Sequence, residues 1–148
     1  MTDPGYTARR EISNAVHRMT AGLGDSRSAV YDPLRELGAL HLLGAAVIHA
    51  ERGAARRARE DGRSWQGIGE AMGYAEVAEL AFRRVASDLG SGASFDWRCP
   101  SCEGLVTDYG PEVPLPDAQQ GHAGGCERFA AGVAGWDALW DELDNGNG

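Results

Sequence analysis

The sequence predicts a mainly α-helical fold, a helical domain followed by a small element made of a β-hairpin and one more helix. Two observations carry that prediction. Apolar residues recur at three- and four-residue steps through most of the first 90 positions, the signature of helices burying one face. The only short strand-like runs, Phe95-Asp96-Trp97 and Leu105-Val106-Thr107, flank a cysteine pair, and all three cysteines of the 148-residue chain lie after position 98.

Tyr6 to Leu23 reads as a first helix, with Ile12, Val16 and Met19 on one face and Gly22 and Gly24 ending it. Asp25-Ser26 suits the cap of a short turn. Asp32-Pro33 starts a long helix, because proline is tolerated at the first helical position. Its apolar series is Leu34, Leu37, Leu40, Leu43, Val47 and Ala50, continued by the small Ala54 and Ala58. Arg52, Arg56, Arg57, Arg59 and Arg63 cluster near its end, where cations complement the helix dipole or form a phosphate-contacting ridge. Glu51, Glu60 and Asp61 dilute that ridge.

Ser64 to Tyr74 has the form of the middle of a helix-turn-helix. Ser64 can cap a short helix, Ile68 and Met72 face inward one turn apart, Gly69 permits close helix approach, and Gly73 supplies a left-handed turn residue. A following helix, Ala75 to Leu89, keeps Val77, Leu80, Ala81, Phe82 and Val85 as inner positions. Residues 49–89 therefore read as a helix-turn-helix-like segment inside a helical domain spanning 1–90.

The remainder, 91–143, is organised by Cys99-Pro100-Ser101-Cys102 and by His122 and Cys126. The two-residue gap lets a tight turn aim both sulfurs at one point, and two close pairs brought together by folding are the usual zinc arrangement. His122 and Cys126, four apart, fit one face of a helical turn. Three cysteines could instead form a disulfide with a spare thiol, or a redox dithiol. An odd count without a secretory segment argues against the first, and the lack of a βαβ unit against the second. The expectation is a structural Zn2+ held by Cys99, Cys102, His122 and Cys126, with all four positions filled by protein. Whether its thiolates sense redox stays open. A last helix, Cys126 to Leu143, carries Phe129, Val133, Trp136, Leu139, Trp140 and Leu143. Trp136 and Trp140 could anchor a partner or pack that helix on the body. Residues 110–121 read as a loop and 144–148 as a frayed tail.

Asp61-Gly62, Ser64-Trp65, Ile68-Gly69 and Gly73, followed by the Cys99-Pro100-x-Cys102 knuckle and Gly121-His122-x-x-x-Cys126, resemble small actinobacterial helix-turn-helix proteins with a zinc element of three cysteines and one histidine. The resemblance covers roughly residues 45–140 and implies a DNA-binding fold. The absence of lysine among 14 basic residues fits the same source, a GC-rich genome.

Charge sharpens the functional expectation. Residues 1–98 hold 13 arginines against 13 acids, whereas residues 99–148 hold Arg128 alone against nine acids. Such an end repels phosphate backbones, so DNA would have to meet the earlier part. A DNA-binding transcriptional regulator would set Arg52, Arg56, Arg57, Arg59, Arg63, Arg83 and Arg84 on phosphates, with Gln66, Tyr74, Glu76 and Glu79 near base edges. A homodimer would be needed for useful affinity. The segment 49–86 has seven arginines and six acids, a weak footprint. The alternative is a protein-interaction adaptor whose degenerate helix-turn-helix leaves double-stranded DNA alone. No enzyme is expected: a filled tetrahedron leaves no site for water, and Gly67-x-Gly69 falls within a helix rather than after a strand. Without a signal peptide or an apolar run of about 20 residues, the expected setting is cytoplasmic.

Overall fold

A computed structural model describes residues 4–22, 33–74, 77–88 and 92–145. Helices α1 (Pro4–Gly22) and α2 (Pro33–Glu60) form where the apolar periodicity places them, and Pro33 is the first residue of α2. The expected cap at Asp25-Ser26 lies outside the described residues. Helix α3 (Trp65–Ala71) starts at Ser64, whose Oγ accepts the backbone N–H of Gly67 at 3.1 Å. Gly73 ends the turn with φ +84°, as the helix-turn-helix pattern requires.

Helix α4 (Ala78–Val85) is shorter than the expected Ala75–Leu89. After Val85 the chain turns extended into β1 (Ser87–Asp88), which pairs antiparallel with β2 (Ala93–Arg98) through Ser87 with Ser94 and Asp88 with Ala93. Sheet pairing overrides local helical preference there. The inner face of α4 is Ala81, Phe82 and Val85, whereas Val77 and Leu80 are exposed, a correction to the expected inner set. Gly69 does bring α3 and α4 together, since a Cβ there would meet the Ala81 side chain at 3.6 Å and the Ala78 backbone at 3.7 Å.

Strand β2 pairs antiparallel with β3 (Leu105–Asp108), setting Trp97 opposite Val106, and β3 pairs with β4 (Gln119–Gln120). The sheet order is β1-β2-β3-β4. Helix α5 (Glu127–Asn145) closes the chain. Phe129, Val133 and Trp136 are half-buried, but Leu139, Trp140 and Leu143 are exposed, so the expected inner stripe packs only along its first half. Residues 144 and 145 continue this helix, while 146–148 lie outside the described residues.

The chain divides into two units, Met1–Ala50 and Glu51–Gly148. In the second, helices and sheet share one core: Trp65, Ile68, Ala81, Phe82 and Val85 pack with Phe95, Trp97, Cys99, Val106 and Cys126. Trp65 meets Phe82 and Phe95 edge-on at 5.1 and 5.3 Å, contacts each contributing about 1 kcal/mol beyond area burial. The division thus falls within α2, rather than between residues 90 and 91, because the cysteine-bearing sheet and the α3–α4 pair bury each other's apolar faces. No helix among the described residues is long and apolar enough to cross a membrane.

Candidate metal centre

Cys99 follows β2, and the hairpin that leads to β3 turns tightly around it. Its N–H donates to Gly104 O at 2.9 Å, and the Glu103 N–H donates to Cys99 O at 2.7 Å. This turn aims the N–H groups of Ser101 and Cys102 at the Cys99 sulfur. The second pair arrives from β4 and the turn before α5. A Cβ at Gly121 would lie 2.2 Å from Leu105 O, and one at Gly104 would lie 2.6 Å from Gly121 O. Only glycine lets these backbones cross so closely, and the crossing brings His122 over the knuckle.

His122 and Cys126 do not share a helical face, as their spacing suggested. They sit in a non-helical turn closed by the Cys126 N–H to Ala123 O at 3.1 Å, and α5 begins one residue later. Gly125, with φ +78°, makes that turn accessible. The four side chains nevertheless converge, with every ligand atom within 4.8 Å of every other. Cys99 Sγ and Cys126 Sγ are 3.8 Å apart, and Cys102 Sγ and His122 Nδ1 are 3.7 Å apart. A metal with sulfur ligands at ~2.3 Å and a nitrogen at ~2.05 Å has tetrahedral edges of about 3.8 and 3.6 Å. The residues therefore fit a four-coordinate ion.

The surroundings prepare the ligands. Burial pushes the Cys99 thiol up from its ordinary range, against the pull of the knuckle N–H groups. Cys102 is held down at about 6, first by the backbone N–H of Ala123, then by that of Gly104 and by His122. The Ala123 N–H reaches its sulfur at 3.5 Å. His122 Nε2 faces Gln119 Oε1 at 3.2 Å. An amide oxygen only accepts, so Nε2 carries the hydrogen and Nδ1 presents its lone pair to the site. The ring stacks on Phe129 at 4.8 Å and meets the edge of Trp97 at 5.8 Å, which fixes its plane.

Next to the cluster is a second buried group. Arg59 donates from Nε and Nη2 to Asp108 Oδ2 at 3.1 and 2.8 Å, and Trp65 Nε1 donates to the same oxygen at 3.1 Å. Gly110 N–H donates to Oδ1 at 3.0 Å. Burial lowers the Arg59 pKa, and Asp108 opposes that shift. Arg59 and Arg128 lie over the Trp97 ring at 5.3 and 4.9 Å, and Arg128 donates to the carbonyls of Glu60 and Arg59. The single base of the acidic segment thus caps the C-terminus of α2 and pins the start of α5 to it.

The other residues expected at a DNA surface are placed as follows. Arg59 belongs to the interior, so a phosphate role for it is replaced by the ion pair with Asp108. Arg52 donates to Val85 O at 2.9 Å and Ala86 O at 3.3 Å, capping α4, and Arg56 donates to Asp96 O at 3.0 Å. Arg84 bonds Glu51 at 2.8 Å, and Arg83 bonds Glu79 at 2.6 Å. Gln66 bonds Glu70 at 3.1 Å, and Tyr74 is half-buried against the core. Glu76 lies outside the described residues. Arg57 and Arg63 are exposed and make no side-chain hydrogen bond or ion pair among the described residues. Between α2 and α3 runs an open groove of about 580 Å³, with apolar walls from Ala54, Ala58, Ile68, Ala71 and Met72 and charges from Glu51, Arg63 and Glu70 at its rim.

Sequence reasoning did not assign Gln119, Asp108 or Arg128 to these roles. Gln119 was inside a loop without periodicity, and the partners of Asp108 and Arg128 lie 43 to 69 residues away. Arg128 alone carried a signal, as the one cation in an acidic segment. No protein-family model matches this chain, and no curated protein or solved structure matches it either.

Proposed function

We propose that residues 51–148 form a zinc-stapled module that binds a protein partner and that its helix-turn-helix-like pair does not engage DNA. One observation carries this reading. Of the seven arginines available for phosphates, five already spend their guanidinium within the chain, namely Arg52, Arg56, Arg59, Arg83 and Arg84. Arg57 and Arg63 remain, against an acidic C-terminal segment. Two phosphate contacts give little affinity at physiological salt. The apolar groove between α2 and α3 suits a protein surface better than a charged backbone.

Zinc is the metal proposed, because three thiolates and one imidazole in a tetrahedron are its preferred structural set. Four protein ligands leave no position for a reacting water, which makes the role structural rather than catalytic. Purified protein is expected to hold about one zinc per chain. The DNA-binding regulator remains the second reading, favoured by the close α3–α4 packing at Gly69.

Retention on immobilised duplex DNA at about 50 mM salt separates the two. The interaction module passes through unretained. Retention that falls steeply as salt rises, and that is lost in the Arg57→Gln, Arg63→Gln double variant, would establish the regulator instead.

A further inference from the structure

Helix α5 packs on the body through its first half only. Phe129 stacks on the His122 ring at 4.8 Å, and Gly132 faces Leu115, whose Cδ1 would lie 3.9 Å from a Cβ built there. Between Ala134 and Leu143 Trp136 alone is half-buried, and its ring meets Trp140 edge-on at 5.7 Å. Leu139, Trp140 and Leu143 are exposed by 51, 50 and 53%. With Trp136 they stand at i, i+3, i+4 and i+7, one apolar stripe and the anchor set of a helix that lies in a groove. The edges of the stripe are acidic. Asp137 and Asp141 follow one edge and Glu142 the other, all three exposed. Residues 129–148 hold four acids and no base. A helix C-terminus favours cations, and α2 and α4 follow that rule, with Arg57 and Arg59 in the last turn of one and Arg83 and Arg84 in that of the other. The last turn of α5 has no base, so its acids face the negative end of the helix dipole.

We propose that the stripe Trp136–Leu139–Trp140–Leu143 docks into an apolar groove rimmed by lysine or arginine on a different protein, which rests on the reading of residues 51–148 as a partner-binding module. Charge selects this occupant. A second copy brings the same acids to the contact: the chain carries a net −8, and its own open groove between α2 and α3 sets Glu51 and Glu70 beside Arg63. Nucleic acid and anionic lipid are repelled in the same way, and a helix suited to lying on a membrane carries Lys or Arg on its polar face. A basic rim instead supplies counterions both to the acids and to the negative end of α5. Trp140, held against Trp136, is the anchor expected to dominate the affinity.

The probe is a fluorescein-labelled peptide of about 21 residues with leucine at the a and d positions of each heptad and lysine at e and g, an apolar stripe with basic edges. Two sister peptides replace its lysines by glutamate or its leucines by alanine. Fluorescence anisotropy with the full-length, zinc-replete protein at about 50 mM salt is expected to show saturable binding of the first peptide with Kd on the order of 10 µM, and binding at least about tenfold weaker for each sister. A Leu139→Ala, Trp140→Ala, Leu143→Ala triple variant keeps the net charge and favours the helix, and should bind at least about tenfold more weakly than wild type. Ala138→Gln, on the opposite side of α5, should bind like wild type. An Asp137→Asn, Glu142→Gln variant should weaken binding about threefold, a difference that shrinks at about 300 mM salt. Helix content by far-UV dichroism accompanies each sample, and if the triple variant loses helix, Trp140→Ala alone is read in its place with the same direction expected. A wild type that ignores the first peptide overturns the proposal, as does binding that survives the triple variant or that the alanine peptide matches. Association with phosphatidylcholine vesicles that the triple variant abolishes, without peptide binding, assigns the face to a membrane instead. If any of these negative results is found while the chain passes duplex DNA unretained, the α5 surface fails and the partner-binding reading stands. Retention on DNA that the Arg57→Gln, Arg63→Gln variant loses overturns that reading, and the proposal with it.

Discussion

Residues 1–50 and 51–148 begin from the same kind of pattern, apolar residues at helical steps, and reach different ends. In 51–148 the apolar faces of α3, α4 and the sheet close on one another, and buried polar groups cross-link them: four candidate metal ligands, the Arg59–Asp108–Trp65 cluster, and Arg128 on the end of α2. In 4–22 and 33–50 the helices form, but Leu34, Leu37, Leu40 and Leu42 on α2 are exposed. Periodicity specifies a helix in both places. Long-range partners decide which helices are buried, and apart from the metal-ligand set they come from residues whose spacing carries no local signal.

The comparison can be broken most sharply at the candidate metal centre. Cys126→Ser removes a buried candidate ligand whose sulfur lies 3.8 Å from Cys99 Sγ in the shared core. Structural zinc supplies on the order of 10 kcal/mol of folding free energy in small domains, comparable to the whole stability of a domain of this size. The expected result is loss of protection in hydrogen exchange across α3, α4 and the sheet together. Protection lost only after residue 98 would mean that the sheet and helices do not share a core.

A smaller effect is expected at the buried ion pair. Asp108→Ala leaves Arg59 buried without its counterion, at a cost of about 3–5 kcal/mol, whereas the Arg59→Met, Asp108→Leu pair should recover the part due to the unpaired charge, though not the part due to the Trp65 and Gly110 N–H groups left without an acceptor. Chemical denaturation of the three proteins measures it. Similar destabilisation in single and double variants would show that the pair acts through shape rather than charge. The smallest effect belongs to the cap. Ser64→Ala removes the acceptor for the Gly67 N–H and should cost about 1 kcal/mol, seen as a small fall in the denaturation midpoint with unchanged slope.

Much of the arrangement was legible because it rests on neighbours in sequence. The Cys99–Cys102 knuckle, the Ser64 cap, the Gly73 turn and the start of α2 each depend on a handful of adjacent residues. The ligand set was legible from spacing, yet the backbone beneath it was not. A four-residue step from His122 to Cys126 fits a helical turn, but Gly124 and Gly125 let a non-helical turn span the same distance. The end of α4 was hidden because Ala86-Ser87-Asp88 contains no breaker, and pairing with β2 decides its conformation. The arginines were hardest to place. A row of cations near the end of α2 looks identical whether its counterions are phosphates or the carbonyls and carboxylates of the same chain. Asp108, 49 residues beyond Arg59, settles that only after the sheet has formed.

The placement of the tryptophans has a practical consequence. All four, Trp65, Trp97, Trp136 and Trp140, lie after residue 50. Tryptophan fluorescence therefore watches residues 51–148 and is blind to the first 50, while far-UV ellipticity sums α1 and α2 with the rest. Melting curves followed by the two optical probes need not superimpose, and the gap between them reads out how independently the N-terminal helices unravel.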